Sequence, residues 1–418
     1  MQGITRRHLI KGVSMAPFVA PFGALASASL ANKPHVAVIG AGAIGGWTAL
    51  QLLRMGARVT LFDAWGPGNS RSSSGGESRV IRGLYGKDRI YVQWVTRSFE
   101  LWKKNQERWK TPLYHRTGLL WMFAKDDAYA RDSLPLAKEF GLRIDQLEMA
   151  DARKHYPQID FAGIQSLYFE HEAGYLKARQ ACQVVSEQFR NEGGEFQQAS
   201  VRPGKIRSEM LQRLDLSDGS HLIADHYVFA CGPWLGRLFG NLLGKHISPS
   251  RQEAYYFGTP KGNSSFKPGT MPVWVDFDER LYCGFPSIDG RGFKIADDTR
   301  GEVFDPTGGN RTPSPDGIAR ARKFLARRFP HLKNAPLVEA RVCQYGNSPD
   351  GHLIVDRHPN ANNVWLAGGG SGHAFKLSPA LGEHVAKCVL GKAEPDPFFS
   401  IERLAKLKSK STQFDKKQ

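Results

Sequence analysis

The chain has 418 residues, 41% of them hydrophobic, and a formal net charge of +17 at pH 7. That length suffices for two domains with well-buried cores, and the composition is ordinary for a soluble enzyme rather than for a disordered chain. Nothing beyond the first thirty or so residues is apolar enough for long enough to span a bilayer, and the scattered basic residues lack the aromatic interleaving that would point to nucleic acid.

Thr5-Arg6-Arg7-His8-Leu9-Ile10-Lys11 opens the chain, followed by a mildly apolar stretch over residues 12–25 and by the small residues Ala24, Ala26 and Ala28. Charge, apolar run and cleavage-type residues in that order resemble a twin-arginine (Tat) signal. This predicts a leader over residues 1–31, the Tat export machinery as a partner and the periplasm as destination. Tat carries folded proteins, which suits a chain that must take up a nucleotide cofactor before export.

Residues 36–39 then read as a strand, and Gly40, Gly42 and Gly45 form a G-x-G-x-x-G turn with Ala43 and Ile44 inside it. The spacing predicts a tight turn at Gly40, close backbone approach to a pyrophosphate at Gly42, and close helix–sheet packing at Gly45. The following helix would aim its N-terminus at the phosphates. Asp63, at the end of a second strand, is placed to accept hydrogen bonds from a ribose. The fingerprint indicates a dinucleotide and leaves NAD and FAD both open.

Downstream, a polar glycine-rich loop over residues 66–77 leads to Ser78-Arg79-Val80-Ile81-Arg82. Helices are expected over 89–110, 126–140 (disturbed by Pro135), 150–156 and 178–191, the last stopped by Gly193-Gly194. Strands are expected over 118–123, 226–230, 280–286 and 292–296, with 211–216 and 221–223 forming a hairpin around Asp218-Gly219. A turn-rich linker over 308–317 precedes a basic helix over 318–329, whose cations read as a solvated face. Strands over 353–356 and 363–367, a glycine loop over 368–372 and a helix over 379–390 complete the pattern. Cys182, Cys231, Cys283, Cys343 and Cys388 lack metal-ligand spacing, so no metal is expected, and their odd number leaves at least one unpaired.

Nucleotide-type segments therefore lie at both ends, near Gly40 and near Gly370 and Gly372. The fold class expected is α/β (α+β): a Rossmann-like FAD-binding domain, discontinuous in sequence, with a mixed-sheet substrate (catalytic) domain. The FAD-binding domain would comprise residues 32–115, 175–246 and 343–400, the substrate domain 116–174 and 247–342, and a basic tail 401–418.

Cys343-Gln344-Tyr345, Ser348-Pro349-Asp350-Gly351-His352 and Gly370-Ser371-Gly372-His373-Ala374-Phe375-Lys376 resemble the C-terminal signature of monomeric sarcosine oxidase and N-methyltryptophan oxidase. These belong to the D-amino-acid-oxidase-like FAD-dependent oxidoreductases. Ser78-Arg79-Val80-Ile81-Arg82 with Tyr85-Gly86, and Tyr282-Cys283-Gly284-Phe285-Pro286 running to Gly292-Phe293-Lys294, extend the similarity over about residues 33–392. The resemblance implies FAD attached covalently through Cys343, and Arg82 and Lys376 clamping a substrate carboxylate. It also implies Arg79 near the flavin face, Lys294 activating O2, Tyr345 at the substrate or ring, and His373 near the flavin. A histidine packed against a backbone carbonyl is at least as good a reading of His373 as a catalytic base. A helix start at Ser378-Pro379 would point at the flavin.

Four positions depart from the sarcosine-specific pattern. Cys283 replaces a tyrosine, Asp298 a histidine, Trp274 a methionine and Gly75 a histidine, which suggests a bulkier or more cationic secondary amine. The activity implied is oxidation of an amino acid or secondary amine carrying a carboxylate, with imine hydrolysis and reduction of O2 to H2O2. Two alternatives are a periplasmic FAD dehydrogenase passing electrons to a quinone or carrier, and a non-catalytic FAD-holding or maturation protein acting on an exported partner.

Overall fold

The computed structural model describes residues 33–407, so the expected leader and most of the basic tail lie outside the described residues. The described residues from Pro34 onward pack as one compact unit. Among the described residues no helix is long and apolar enough to cross a membrane.

His35–Ile39 is buried along its whole length because it is the central strand of a six-stranded sheet. The order is Ile354–His358, Ala361–Gly368, His226–Phe229, His35–Ile39, Arg58–Phe62, Glu195–Gln197. All neighbours are parallel except the edge strand Ile354–His358. Strand alternation sends Val36 and Val38 to one core, under the helices Ala43–Arg54, Ala178–Asn191 and Ala374–Val389, while Ala37 and Ile39 enter a second core on the opposite face.

The second large sheet has eight strands in the order Leu337–Asn347, Ser248–Phe257, Phe293–Asp297, Leu281–Phe285, Val273–Phe277, Leu119–Phe123, Ser166–Glu170, Ile144–Gln146. One face packs on the amphipathic helix Pro315–Arg328. A three-stranded sheet, Ser78–Ile81 with Gly174–Lys177 and Tyr114–His115, carries the arginine segment to the eight-stranded sheet's other face. The expected mixed α/β class is the one found.

Several local expectations change. Leu337–Asn347 and Ser248–Phe257 form the longest ladder, from Ser248 against Asn347 to Phe257 against Leu337. Neither strand was expected, because polar and charged residues dilute their alternation. The hairpin segment 211–216 divides in two: Met210–Leu211 pairs with Ile206–Arg207, while Leu214–Leu216 pairs with His221–Leu222 and Val201–Pro203.

The last long helix starts at Ala374, not at Pro379, and carries Pro379 internally. Proline cannot donate to the carbonyl of Phe375, and the Ser378 hydroxyl donates to it instead at 2.7 Å, so the helix continues. Nor is the basic helix purely a solvated face. Arg328 is buried and its Nε meets Asp276 at 2.7 Å, the two side chains being 1% and 0% exposed. All five cysteines are free thiols.

Candidate functional site

Gly40 sits at φ +106°, and a Cβ there would lie 2.5 Å from the carbonyl oxygen of Ala230. At Gly45 a Cβ would lie 1.9 Å from the oxygen of Gly40. These two glycines let the turn and helix close on the sheet. Gly42 has only Ser74 Oγ nearby, at 3.5 Å, so its backbone faces open space. That space is a cleft of about 1340 Å³, counting its open mouth. Gly40, Gly42, Ala43, Ile44 and Asp63 line it from one end of the sequence, and Gly370, Gly372, Ala374 and Phe375 from the other. Gly45 lies beneath it as a spacer. Asp63 holds the turn by accepting from the Ala41 N–H at 2.9 Å and the Trp65 N–H at 2.9 Å. Burial raises its carboxyl above the ordinary aspartate value.

Arg79, Tyr345, Gly372 and Phe375 also line a second cleft, so the two spaces share a wall. The second cleft gathers Arg82, Cys283, Lys294, Asp298, Cys343, His373 and Lys376. Arg82 is buried, donates to Tyr129 Oη at 3.0 Å and to the Leu84 carbonyl, and stacks on Tyr85 with its guanidinium 4.6 Å from the ring. Lys376, in the first turn of its helix, approaches the same ring at 5.4 Å and donates to the His373 carbonyl at 3.1 Å. Burial, then the charge of Arg82, pushes its ammonium well below the usual lysine range. The two cations, far apart in sequence, thus flank one tyrosine.

Lys294 enters from the eight-stranded sheet, 5% exposed, and donates to Ser78 Oγ at 3.1 Å. Burial, then Arg79, brings its ammonium down to about 8. Arg79 is pinned by the carbonyls of Ser73 and Ser78. Tyr345 donates to Asp298 Oδ1 at 2.5 Å.

His373 is 1% exposed, with Nε2 at 2.9 Å from the Gly351 carbonyl and Nδ1 at 3.3 Å from Tyr85 Oη. Burial holds it well below the usual histidine value, so it stays neutral with both ring nitrogens engaged. That geometry corresponds to the packed reading of this residue and not to a free catalytic base. Trp274 is not a wall of the cleft. It is fully buried on the opposite face of the sheet, against Phe293, Phe324 and Phe329, and Val275 faces the cleft instead. Gly75 lines neither cleft: it is buried within the loop, its carbonyl held by Arg179.

Residues 35–388 match the family described as DAO, FAD dependent oxidoreductase. The chain belongs to that family. It is 32% identical to monomeric sarcosine oxidase of Bacillus sp. (strain B-0618), over 88% of this chain and 96% of the relative. N-methyl-L-tryptophan oxidase of Salmonella dublin is 27% identical over 86% of this chain and 95% of its own. The branch expected from the C-terminal motifs is therefore the one found. The solved structure of L-proline dehydrogenase from P. horikoshii superposes with a TM-score of 0.78 at 21% identity, covering 90% of this chain and 98% of that one, a likeness of fold.

As a member of the FAD-dependent oxidoreductases, this protein must accommodate a large, doubly anionic cofactor, and the first cleft has the features required. Ser73 Oγ is buried without a hydrogen-bond partner and lines the same cleft as Gly42, and the Ser74 hydroxyl accepts from the Ala43 N–H at the helix N-terminus. Sequence reading missed Ser72, Ser73 and Ser74 as wall residues, although the polar run inside a glycine loop was the available signal. It also missed Glu170, fully buried against the Trp121 indole N–H at 3.2 Å and the Gly83 N–H behind Arg82.

Proposed function

We propose that this protein is an exported FAD-dependent oxidase of an amino acid or secondary amine bearing a carboxylate. The observation that carries the proposal is the convergence of Arg82 and Lys376 on Tyr85 in a buried cleft that shares its wall with the dinucleotide cleft. A planar guanidinium fork and an ammonium in a low-dielectric pocket suit a carboxylate and little else of that size. Bound FAD would supply two-electron redox chemistry: the substrate would lose a hydride from carbon and a proton from nitrogen to give an imine that water hydrolyses, and O2 would take up two electrons and two protons as H2O2.

The chain's own residues orient and polarise. Arg82 and Lys376 fix the carboxylate, and Tyr85 and Trp121 exclude water around them. Lys294 supplies a fixed positive charge where oxygen is reduced. Its burial against Ser78 favours the oxidase over a dehydrogenase serving a quinone or carrier. Cys343, on the strand Leu337–Asn347 and facing the cleft with Arg79, is the residue proposed to bond the cofactor covalently. Arg6 and Arg7 are proposed to direct Tat export to the periplasm.

The deciding experiment is an anaerobic panel of amino acids and N-methylated amines, scored by loss of the yellow colour and, on admission of air, by peroxide. A carboxylate-bearing amine should bleach the protein and yield one peroxide per turnover. A protein that no amine bleaches would overturn the oxidase reading, and bleaching without peroxide would favour the dehydrogenase.

A further inference from the structure

Asp298 follows the strand Phe293–Asp297 and sits an even number of positions from Lys294 and Ala296, so all three project from one face of the sheet into the second cleft. Its neighbour Asp297 is neutralised by Arg280, 2.7 Å away. Asp298 has no such counter-ion in contact among the described residues. Its side-chain partner is the Tyr345 hydroxyl, and its backbone N–H donates to the Leu281 carbonyl at 2.8 Å. The charged and titratable groups facing it are Arg82, Lys376, Tyr345 and Cys283, with Asp297 beside it. The cleft therefore presents a carboxylate clamp at one point and a lone acid within electrostatic reach of it. Asp298 is half-buried in this cleft, and a carboxylate partly withdrawn from water keeps its charge at a cost unless a cation meets it. Burial does raise its carboxyl above the usual value, with Tyr345, Arg82 and Lys376 pulling the other way.

We infer that Asp298 is a specificity-determining residue that pairs with the cationic nitrogen of a zwitterionic substrate whose carboxylate lies on Arg82 and Lys376. This rests on the carboxylate-clamp reading above and deepens it: the substrate class is amino acids that bind with the nitrogen protonated and lose that proton before oxidation, not carboxylates that lack a cationic nitrogen. A single acid within electrostatic reach of two cations sets both the direction of the ligand and its charge pattern, and a ligand lacking the cation leaves the Asp298 carboxylate with the Tyr345 hydroxyl but no cation in contact.

The test uses the FAD-loaded protein and two inert ligands of nearly identical shape. Trimethylglycine carries a permanent cation beside its carboxylate, and 3,3-dimethylbutanoate has carbon in place of that nitrogen. Binding is read by calorimetry and by perturbation of the visible spectrum. Wild type should bind trimethylglycine about tenfold or more tightly than its carbon isostere. Asp298→Asn should bring the two within about twofold by weakening trimethylglycine and strengthening the isostere. If both ligands bind wild type equally, or if the preference survives in Asp298→Asn, the assignment to Asp298 is overturned while the clamp stands. If neither ligand binds wild type, or if both bind Arg82→Met as tightly as wild type, the clamp itself fails. Should Asp298→Asn not fold, Asp298→Ser takes its place with the same expected loss of preference, and equal affinities of the two ligands for wild type overturn the assignment without any variant.

Discussion

Lys294 is a cation that the fold makes easy to discharge. Burial and Arg79 bring its ammonium to about 8, so the charge is present below that pH and lost above it. If this charge assists oxygen reduction, the oxidative half-reaction slows as pH rises through about 8, whereas flavin reduction follows a different profile. Lys294→Met should slow reoxidation roughly a hundredfold, remove that pH dependence and leave anaerobic reduction within a few-fold of wild type, measured by stopped flow. Equal losses in both half-reactions would end the assignment. The stability term has the opposite trend. An unfolded lysine keeps its proton to about 10.5, so between about 8 and 10.5 the unfolded chain holds more protons and stability rises with pH. Cys343 gives a simpler outcome. Acid-precipitated wild type should retain its colour in the pellet, and Cys343→Ala should release it. Release from wild type as well would rule out the thioether.

Two buried acids show what elements contribute. Asp276 and Arg328 join the eight-stranded sheet to the helix Pro315–Arg328, and Arg328 also donates to the carbonyls of Asp160 and Ala162. Removing one member leaves the other charge without compensation, so Arg328→Met should destabilise the protein by about 3–5 kcal/mol in denaturant titrations. Glu170 is pushed up to about 7 by burial, against 4.5 for the free side chain. Below about 4.5 both folded and unfolded chains hold the proton. Between about 4.5 and 7 only the folded chain does, so stability from this residue declines as pH rises through that window. Glu170→Gln should flatten that part of the stability–pH curve, and an unchanged curve would show that Glu170 is ionised in the folded protein.

At the scale of the whole molecule, the site is built from distant parts of the chain. The dinucleotide cleft needs both the first glycine turn and the Gly370–Gly372 loop, and the second cleft needs strands of the eight-stranded and three-stranded sheets together with the start of the helix Ala374–Val389. Cofactor loading should therefore require the complete fold, which agrees with an export route for folded proteins. Arg6→Lys with Arg7→Lys should leave yellow, active protein in the cytoplasm on cell fractionation. Normal periplasmic recovery of that variant would remove the export proposal.

The amino-acid sequence alone determined the βαβ unit, the glycine turn and the core of most helices, because each depends on local spacing and on residue chemistry, whereas the proposed site residues outside the glycine turn came from resemblance to a family. Gly40, Gly42 and Gly45 are legible since only glycine meets those backbone demands. Tertiary structure decided what depends on which face a residue turns to and on what lies across from it. Trp274 was placed in the cleft by the family resemblance, yet strand alternation sends it to the core and Val275 to the cleft. Pro379 read as a helix start, but the Ser378 hydroxyl replaces the missing hydrogen bond and the helix begins at Ala374. Arg328 looked solvated until Asp276, 52 residues away, was found opposite it. Asp298 was visible as a change of residue type, and only the cleft shows it as an acid without a counter-ion facing two cations, because burial and pairing arise between segments that no local pattern connects.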